Sequence, residues 1–319
     1  MNKQHNGLDD FFDDAKIDIE DKIKTTINDK EIVNILNGGK RLRSLLAALA
    51  FRACTRGTET NALYQRSLEG SVSIELAHGA SLVHDDIIDK DNVRRGRPSY
   101  HVKAGIGSAI LTGHKMLVTG FDIALSHGNE VAKLYIDSWN KVVNGEIDEV
   151  KYNNGMKVRD FSTKAQIFEA YNKIIDLKTA VLFASACKAG ALEANMSGDI
   201  LKVFEEYGRE IGLAYQLADD LVDLANGEMI DSVIIPLLNR IETKVKSLGF
   251  FEKRALKKKF TKNKDKIQEF YIEEIKKHVK KAEKLSKSNL IPTSGYKDML
   301  SDAPTYIINR MLREINVSI

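Results

Sequence analysis

Cysteine, proline and tryptophan are scarce here: two, four and one among 319 residues. The two cysteines, Cys54 and Cys187, build no disulfide framework and show no metal-ligand spacing. That argues against a stapled or zinc-held fold and predicts a reduced, cytoplasmic setting. The four prolines (Pro98, Pro236, Pro292, Pro304) leave long unbroken stretches in which apolar residues recur every three or four positions rather than alternating. The expectation is therefore helix and not sheet. No apolar run approaches the roughly 18 residues that span a bilayer. The start, Leu8 to Asp14, is polar and acidic, so the chain is expected to be soluble and unexported. No Ser/Gly-rich linker divides it, which predicts one domain over residues 1–319.

What is present is a 43% hydrophobic content, enough for a large core, and a net charge of only +3 that is unevenly spread. From Glu252 to Lys287, basic residues outnumber acidic ones more than two to one, and the rest of the chain is net acidic. Such a run is most often a solvated helix exterior; weak contact with an anionic membrane is the alternative, and nucleic acid is not expected. The periodicity predicts helices over Leu42–Arg52, Asn61–Asp89, Gly105–Ser126, Val131–Tyr152, Thr163–Ala194, Ile200–Leu224, Ile230–Leu248 and Phe251–Ser286, with a last pair after Pro292.

One pattern occurs twice. Asp85-Asp86-Ile87-Ile88-Asp89 is matched 134 positions later by Asp219-Asp220-Leu221-Val222-Asp223. At about 100° per residue, aspartates at i and i+4 share a helix face and the one at i+1 lies beside them. Three like charges among apolar neighbours repel, so a cation must offset them. An all-oxygen donor set suits a hard ion such as Mg²⁺, which is held by one or two carboxylates together with substrate phosphates. A single such cluster is as well explained by a charged helix end. Two clusters accompanied by Lys40, Arg41 and Arg43 after Gly38-Gly39, by Arg94-Arg95-Gly96 and by Lys178 read instead as two diphosphate sites, since guanidinium forks bind phosphate oxygens.

These motifs resemble, in order and over nearly the whole length, those of the trans-isoprenyl diphosphate synthase family. Gly38 to Arg43 is similar to the family's isopentenyl diphosphate motif, with Ser44 where a proline is usual, and His78 falls at a further contact to that diphosphate. His84 to Asp89 with Arg94 to Gly96 resembles the first aspartate-rich motif. Lys178-Thr179 and Gln216 to Asp223 resemble the later lysine site and the second aspartate-rich motif. The resemblance implies an all-α, single-domain helical bundle with a central elongated cavity, and a homodimer. It implies that Mg²⁺ is the cofactor and that the substrates are isopentenyl diphosphate and an allylic diphosphate. It implies metal ligands among Asp85, Asp89, Asp219, Asp220 and Asp223, and catalytic roles for Asp85, Asp86, Asp89, Asp219 and Lys178. Substrate contacts would come from Lys40, Arg43, His78, Arg94, Arg95, Lys178, Thr179 and Gln216.

Two departures stand out. The loop that follows the second motif in the family, which carries lysines, is replaced by Leu224 to Met229, with no lysine before Lys244; and His114 stands where an aspartate is usual. Hence a non-catalytic or regulatory subunit of a heteromeric synthase remains an alternative. A terpene cyclase would not need the basic motif at Gly38 to Arg43, and a His-Asp phosphohydrolase would leave Arg94, Arg95 and Lys178 without a use. On the helix leading to the first cluster, Gly70, Ser73, Ala77, Ala80 and Ser81 form a small-residue stripe in which Ser73 lies about 18 Å below Asp85 at 1.5 Å per residue. Close helix packing explains such a stripe too. By resemblance, small residues at Ala80 and Ser81 imply a product of twenty carbons or more, with Ser73, Ala77, Ala80 and Ser81 as length determinants.

Overall fold

The computed structural model describes residues 7–153, 164–226 and 264–319. The architecture is all-α: among the described residues the only strands are the two-residue pair β1 (Val93–Arg94) and β2 (Arg97–Pro98). The order is α1 (Leu8–Thr26), α2 (Lys30–Leu36), α3 (Leu42–Thr55), α4 (Asn61–Ile88), the hairpin, α5 (Tyr100–Ala104), α6 (Ile106–Ser126) and α7 (Asn129–Asn153). After them come α8 (Lys164–Ile175), a π-helical turn (Asp176–Ala180), α9 (Val181–Glu193), α10 (Asp199–Asn226), α11 (Lys264–Ser286) and α12 (Gly295–Leu312). The predicted helix Ile230–Leu248, the segment Gly227 to Met229, Lys244 and the first part of the basic run, Glu252 to Asn263, lie outside the described residues.

Helix α1 was not predicted, and one prediction is corrected. The acidic start belongs to α1, which buries Phe11, Phe12, Ala15, Ile19 and Ile23, a helical apolar stripe beneath its acidic face. The pair of helices expected after Pro292 is one helix, α12, with Pro304 inside it. Proline removes one intrahelical donor but does not have to end a helix whose other face is anchored, and Ala303, Ile307 and Ile308 are buried.

By their contacts the described residues form two compact units. One takes residues up to Asp137, Ser185–Glu205 and Ser286–Leu300; the other takes Ser138–Ala184, Glu206–Leu285 and Ser301–Ile319. In the first, α4 packs on α1, α3 and α6. It is started by Thr60, whose Oγ1 accepts the Leu63 N–H at 3.2 Å. Every residue from Gly70 to Ala77 is buried, so α4 has no solvent face there. Small residues allow the approach: a side chain at Gly120 of α6 would meet the backbone oxygen of Ser73 at 3.3 Å, and one at Gly79 would meet Leu36 at 2.5 Å.

In the second unit α10 is one-sided. Ala214, Leu217, Ala218, Leu221 and Val222 pack with Tyr171, with Ile267, Tyr271 and Ile275 of α11, and with Ile308 and Leu312 of α12. Each such aliphatic side chain, fully buried, contributes about 1.5–3 kcal/mol relative to exposure.

Candidate active site

The first aspartate cluster occupies the last turn of α4 and the residue that caps it. Asp85 is half-buried, Asp86 buried and Asp89 exposed, so the position that helical geometry sets beside the shared face turns inward. Lys90, in a left-handed conformation (φ 61°), turns the chain into the hairpin. There Val93 pairs with Pro98 and Arg94 with Arg97. Arg95 and Gly96 both have positive φ (53° and 71°), the requirement of a type I′ turn. The hairpin returns Arg94 to the helix end, where its Nε donates to Asp86 Oδ1 at 2.5 Å. Arg95 donates to the Asn37 carbonyl at 3.2 Å.

The Gly38–Arg43 segment lies against the same end of α4. Arg43 Nη1 donates to His78 Nε2 at 3.0 Å. Burial, then the neighbouring Arg43, Arg95, Arg41 and Arg94 guanidinium groups, hold the His78 ring well below its usual pKa. His78 is therefore neutral with its proton on Nδ1, and that buried nitrogen has no hydrogen-bond partner. A cavity of about 680 Å³ opens here, lined among others by His78, Arg94, Arg95, Asp86 and Glu75. Its size and concentration of guanidinium groups suit a small polyanion. Lys40 is exposed on the same segment.

Arg41 does something else. Grouped with Lys40 and Arg43 in the sequence as a phosphate cation, it has a side chain only 1% exposed. Its Nε donates to Glu20 at 2.8 Å, Nη1 to Glu75 at 2.8 Å and Nη2 to the Leu36 carbonyl at 2.6 Å. It is a buried ion-pair residue in the wall of the cavity, its guanidinium already matched by two carboxylates. Its backbone is left-handed (φ 60°), a state that costs a non-glycine residue on the order of 1 kcal/mol.

At the second cluster Asp219 and Asp223 are half-buried and Asp220 is buried. Asp220 accepts from Tyr171 Oη and, at 2.9 Å, from Gln216 Nε2. Gln216 Oε1 in turn accepts from Thr179 Oγ1 at 2.7 Å. Burial pushes the Asp220 carboxyl up to about 7, against the pull of those donors, with Asp219 and Asp223 raising it further. Thr179 and Lys178 sit in the π-helical turn, a distortion that often marks functional positions. Gly145 of α7 lets that turn come close: a side chain there would lie 2.9 Å from Leu177 and 3.1 Å from Lys178. Lys178 Nζ pairs with Glu146 at 2.6 Å and with Glu149.

Of the remaining expectations, His114 packs edge-on against His84 with ring centroids 5.3 Å apart. The stripe on α4 is buried throughout. Ser73 Oγ donates to the Gly120 carbonyl at 2.6 Å and Ser81 Oγ to the His78 carbonyl at 2.8 Å. At Ser73 the small residue thus seats α6 closely. Sequence reasoning missed Glu20, Glu75, Tyr171, Glu146 and Glu149. One signal was available: Glu75 is the only charge between Gly70 and Ala77, a stretch otherwise of small and apolar residues.

Among the described residues no group of three His, Cys, Asp or Glu forms a metal cage. The donor set still fits Mg²⁺, because the aspartates are all-oxygen and a Mg²⁺ ion takes only one or two of them beside phosphate and water. Asp86 and Asp220, held by Arg94 and by Tyr171 with Gln216, are second in line behind Asp85, Asp89, Asp219 and Asp223.

Comparison with known proteins gives a consistent picture. The family model described as polyprenyl synthetase matches residues 26–284. The geranylgeranyl diphosphate synthase of Methanosarcina mazei is 36% identical over 196 residues, covering 60% of this chain and 57% of its own. Heptaprenyl diphosphate synthase component 2 of Geobacillus stearothermophilus is 33% identical over 192 residues, covering 60% and 56%. The chain thus spans less than two thirds of the length of these curated relatives. The solved decaprenyl diphosphate synthase of Rhodobacter capsulatus has a TM-score of 0.78 at 20% identity over 95% of this chain and 98% of its own, which establishes the fold.

Proposed function

Because the chain belongs to the polyprenyl synthetase family, we propose that it is a trans-prenyltransferase coupling an allylic diphosphate to isopentenyl diphosphate, with diphosphate released. The observation that carries this reading is the cavity at the end of α4, where Arg94, Arg95 and a neutral, half-buried His78 converge beside an aspartate cluster. Asp85, Asp89, Asp219 and Asp223 would hold Mg²⁺, which supplies charge neutralisation to the leaving group; Asp86 and Asp220 support them from behind.

Lys178 and Arg94 stabilise the charge that builds on the allylic diphosphate as its C–O bond breaks, more than they stabilise the ground state. Thr179 and Gln216 keep Asp220 in place. Lys40, Arg43, His78 and Arg95 bind isopentenyl diphosphate and aim its double bond at the allylic carbon, which makes the coupling effectively unimolecular. A new C–C bond forms, one proton leaves to the departing diphosphate, and the product is five carbons longer.

A product of twenty carbons or more is proposed, with Ala77, Ala80 and Ser81 as the length determinants; Ser73, engaged with Gly120, belongs with the packing of α6. We further propose one functional domain over the chain, a cytoplasmic location supported by the two free cysteines, and a homodimer. The dimer is supported by Leu111, Val118 and Leu125, 57–70% exposed and seven residues apart on α6. Among the described residues no helix is long and apolar enough to cross a membrane. Lys276, Lys280 and Lys284, exposed in one row on α11, support no more than surface contact with an anionic bilayer.

Incubating the purified chain with Mg²⁺, isopentenyl diphosphate and allylic primers of ten, fifteen and twenty carbons tests the proposal. Products of twenty carbons or more are expected; release of fifteen-carbon diphosphate alone refutes the length. A second reading, a component of a two-chain synthase, is favoured by the likeness to a relative named as component 2. It predicts no coupling by the chain alone.

A further inference from the structure

The segment proposed to bind isopentenyl diphosphate begins at two glycines and reaches α3 through a left-handed arginine. What fixes that segment is a set of four side chains bonded to one another, of which Arg41 and Glu75 also line the cavity. Arg41 spreads its three donor directions over Glu20 of α1, Glu75 of α4 and the last carbonyl of α2. Glu75 is 3% exposed, and its second oxygen accepts from Ser44 Oγ, in the first turn of α3. Ser44 Oγ also lies 3.3 Å from the Ser71 carbonyl of α4.

The guanidinium folds back beneath its own loop. A Cβ on Gly39 would stand 2.7 Å from Arg41 Nη1 and 3.2 Å from Cζ. Glycine at 39 is thus required by where Arg41 lies, and Arg41 lies there because Glu20 and Glu75 hold it. Glu75 also supplies negative charge near Arg95, which must stay close to other guanidinium groups before any anion arrives. Burial and Arg41 pull the Arg95 pKa down while Glu75 pushes it up.

We propose that Glu20, Arg41, Ser44 and Glu75 form a positioning network for the isopentenyl diphosphate site, in which the hydroxyl of Ser44 is the fourth member. These residues hold Lys40 and Arg43 in a binding geometry and touch no reacting atom. The network rests on the proposed function, and it acts on one of the two substrates only.

The test is a pair of measurements on wild type, Arg41→Lys, Gly39→Ala and Ser44→Ala. One is calorimetric binding of isopentenyl diphosphate; the other is KM for each substrate, with kcat. Arg41→Lys keeps the charge and loses the fork. It should weaken isopentenyl diphosphate binding and raise its KM about tenfold, with allylic KM and kcat changed less than twofold. Gly39→Ala should reproduce this by displacing the guanidinium. Ser44→Ala removes one donor and keeps the ion pair, so a two- to fourfold rise is expected, and it decides the matter if Arg41→Lys does not fold. Equal rises in both KM values, or a lowered Tm with both KM values unchanged, would overturn the network as a positioning device. A wild type that neither couples nor binds isopentenyl diphosphate overturns the proposed function itself, and the network with it.

Discussion

Helices α4 and α10 are both 28 residues long and both carry Asp-Asp-x-x-Asp near their C-terminal ends, yet they are built differently. Helix α4 is buried on all sides through its middle and is made of small residues that let α3 and α6 approach. The latter half of α10 is amphipathic, with one face on Tyr171 and α11. The inner aspartate follows the same logic with different partners. Asp86 is held by a guanidinium, whereas Asp220 is held by a phenol and an amide. Helical geometry therefore decides which aspartate turns inward, and the neighbouring elements decide whether it is matched by charge or by neutral donors.

The largest expected effect treats the two helices alike. Asp85→Ala and Asp219→Ala should each cut turnover by at least about a thousandfold, the scale of a lost electrostatic stabiliser of the transition state, with circular dichroism unchanged. If only one does so in a folded protein, the clusters are not equivalent and the metal role fails for the other.

The second effect should be confined to α4. Ala80 is 0% exposed, so Ala80→Phe must displace its surroundings at a cost of about 1–3 kcal/mol. If the growing chain runs along this flank, the product shortens while the first condensation survives. An unchanged product distribution in an active variant would make the whole stripe packing surface, as Ser73 already is.

How much of this could be read in the sequence follows from what periodicity encodes. Helical spacing gave α3, α4, α6 and α7 to within a few residues, and it gave the inward turn of the middle aspartate in each cluster, because i, i+1 and i+4 are properties of the helix itself. It did not reveal that Arg41 is held in buried ion pairs. That depends on Glu75, 34 positions away, and on Glu20 in a helix obscured by its acidic residues. Adjacent arginines look alike until tertiary structure gives one of them a buried partner. The π-helical turn at Lys178 was hidden for a similar reason, since it depends on the close approach of Gly145.

The third prediction separates the inner aspartates by stability in the absence of metal. Asp86→Asn removes the charge facing Arg94, and a hydrogen bond to a charged partner contributes about 1.5–3 kcal/mol, so urea unfolding should show a loss of that order. Asp220→Asn removes a buried carboxyl whose partners are neutral. Its amide can accept from Gln216 and donate to the Tyr171 hydroxyl, which serves as either donor or acceptor. Stability should change by less than about 1 kcal/mol, in either direction. Equal losses at the two sites would show that charge matching at Asp86 contributes nothing special.

The smallest effect concerns the cations, which also differ between the two clusters. On the α4 side they are guanidinium groups whose carboxylate partners are built into the fold. On the α10 side Lys178 is gripped by Glu146 and Glu149, one turn apart on α7. The lysine is 21% exposed and the glutamates 17% and 16%, so the grip is partly screened yet still leaves one more negative charge than positive at this point. An allylic diphosphate that uses Lys178 has to compete with them. Glu149→Gln keeps the shape, leaves Glu146 as partner and removes the excess charge. The allylic KM should fall about two- to fourfold, a few tenths of a kcal/mol to just under one at about 1.4 kcal/mol per decade. The KM for isopentenyl diphosphate should stay the same, and added salt should shrink the difference between variant and wild type. A rise in allylic KM would mean that the glutamates aim Lys178 at the substrate, and the α10 side would then resemble the α4 side, where carboxylates hold the basic groups in place.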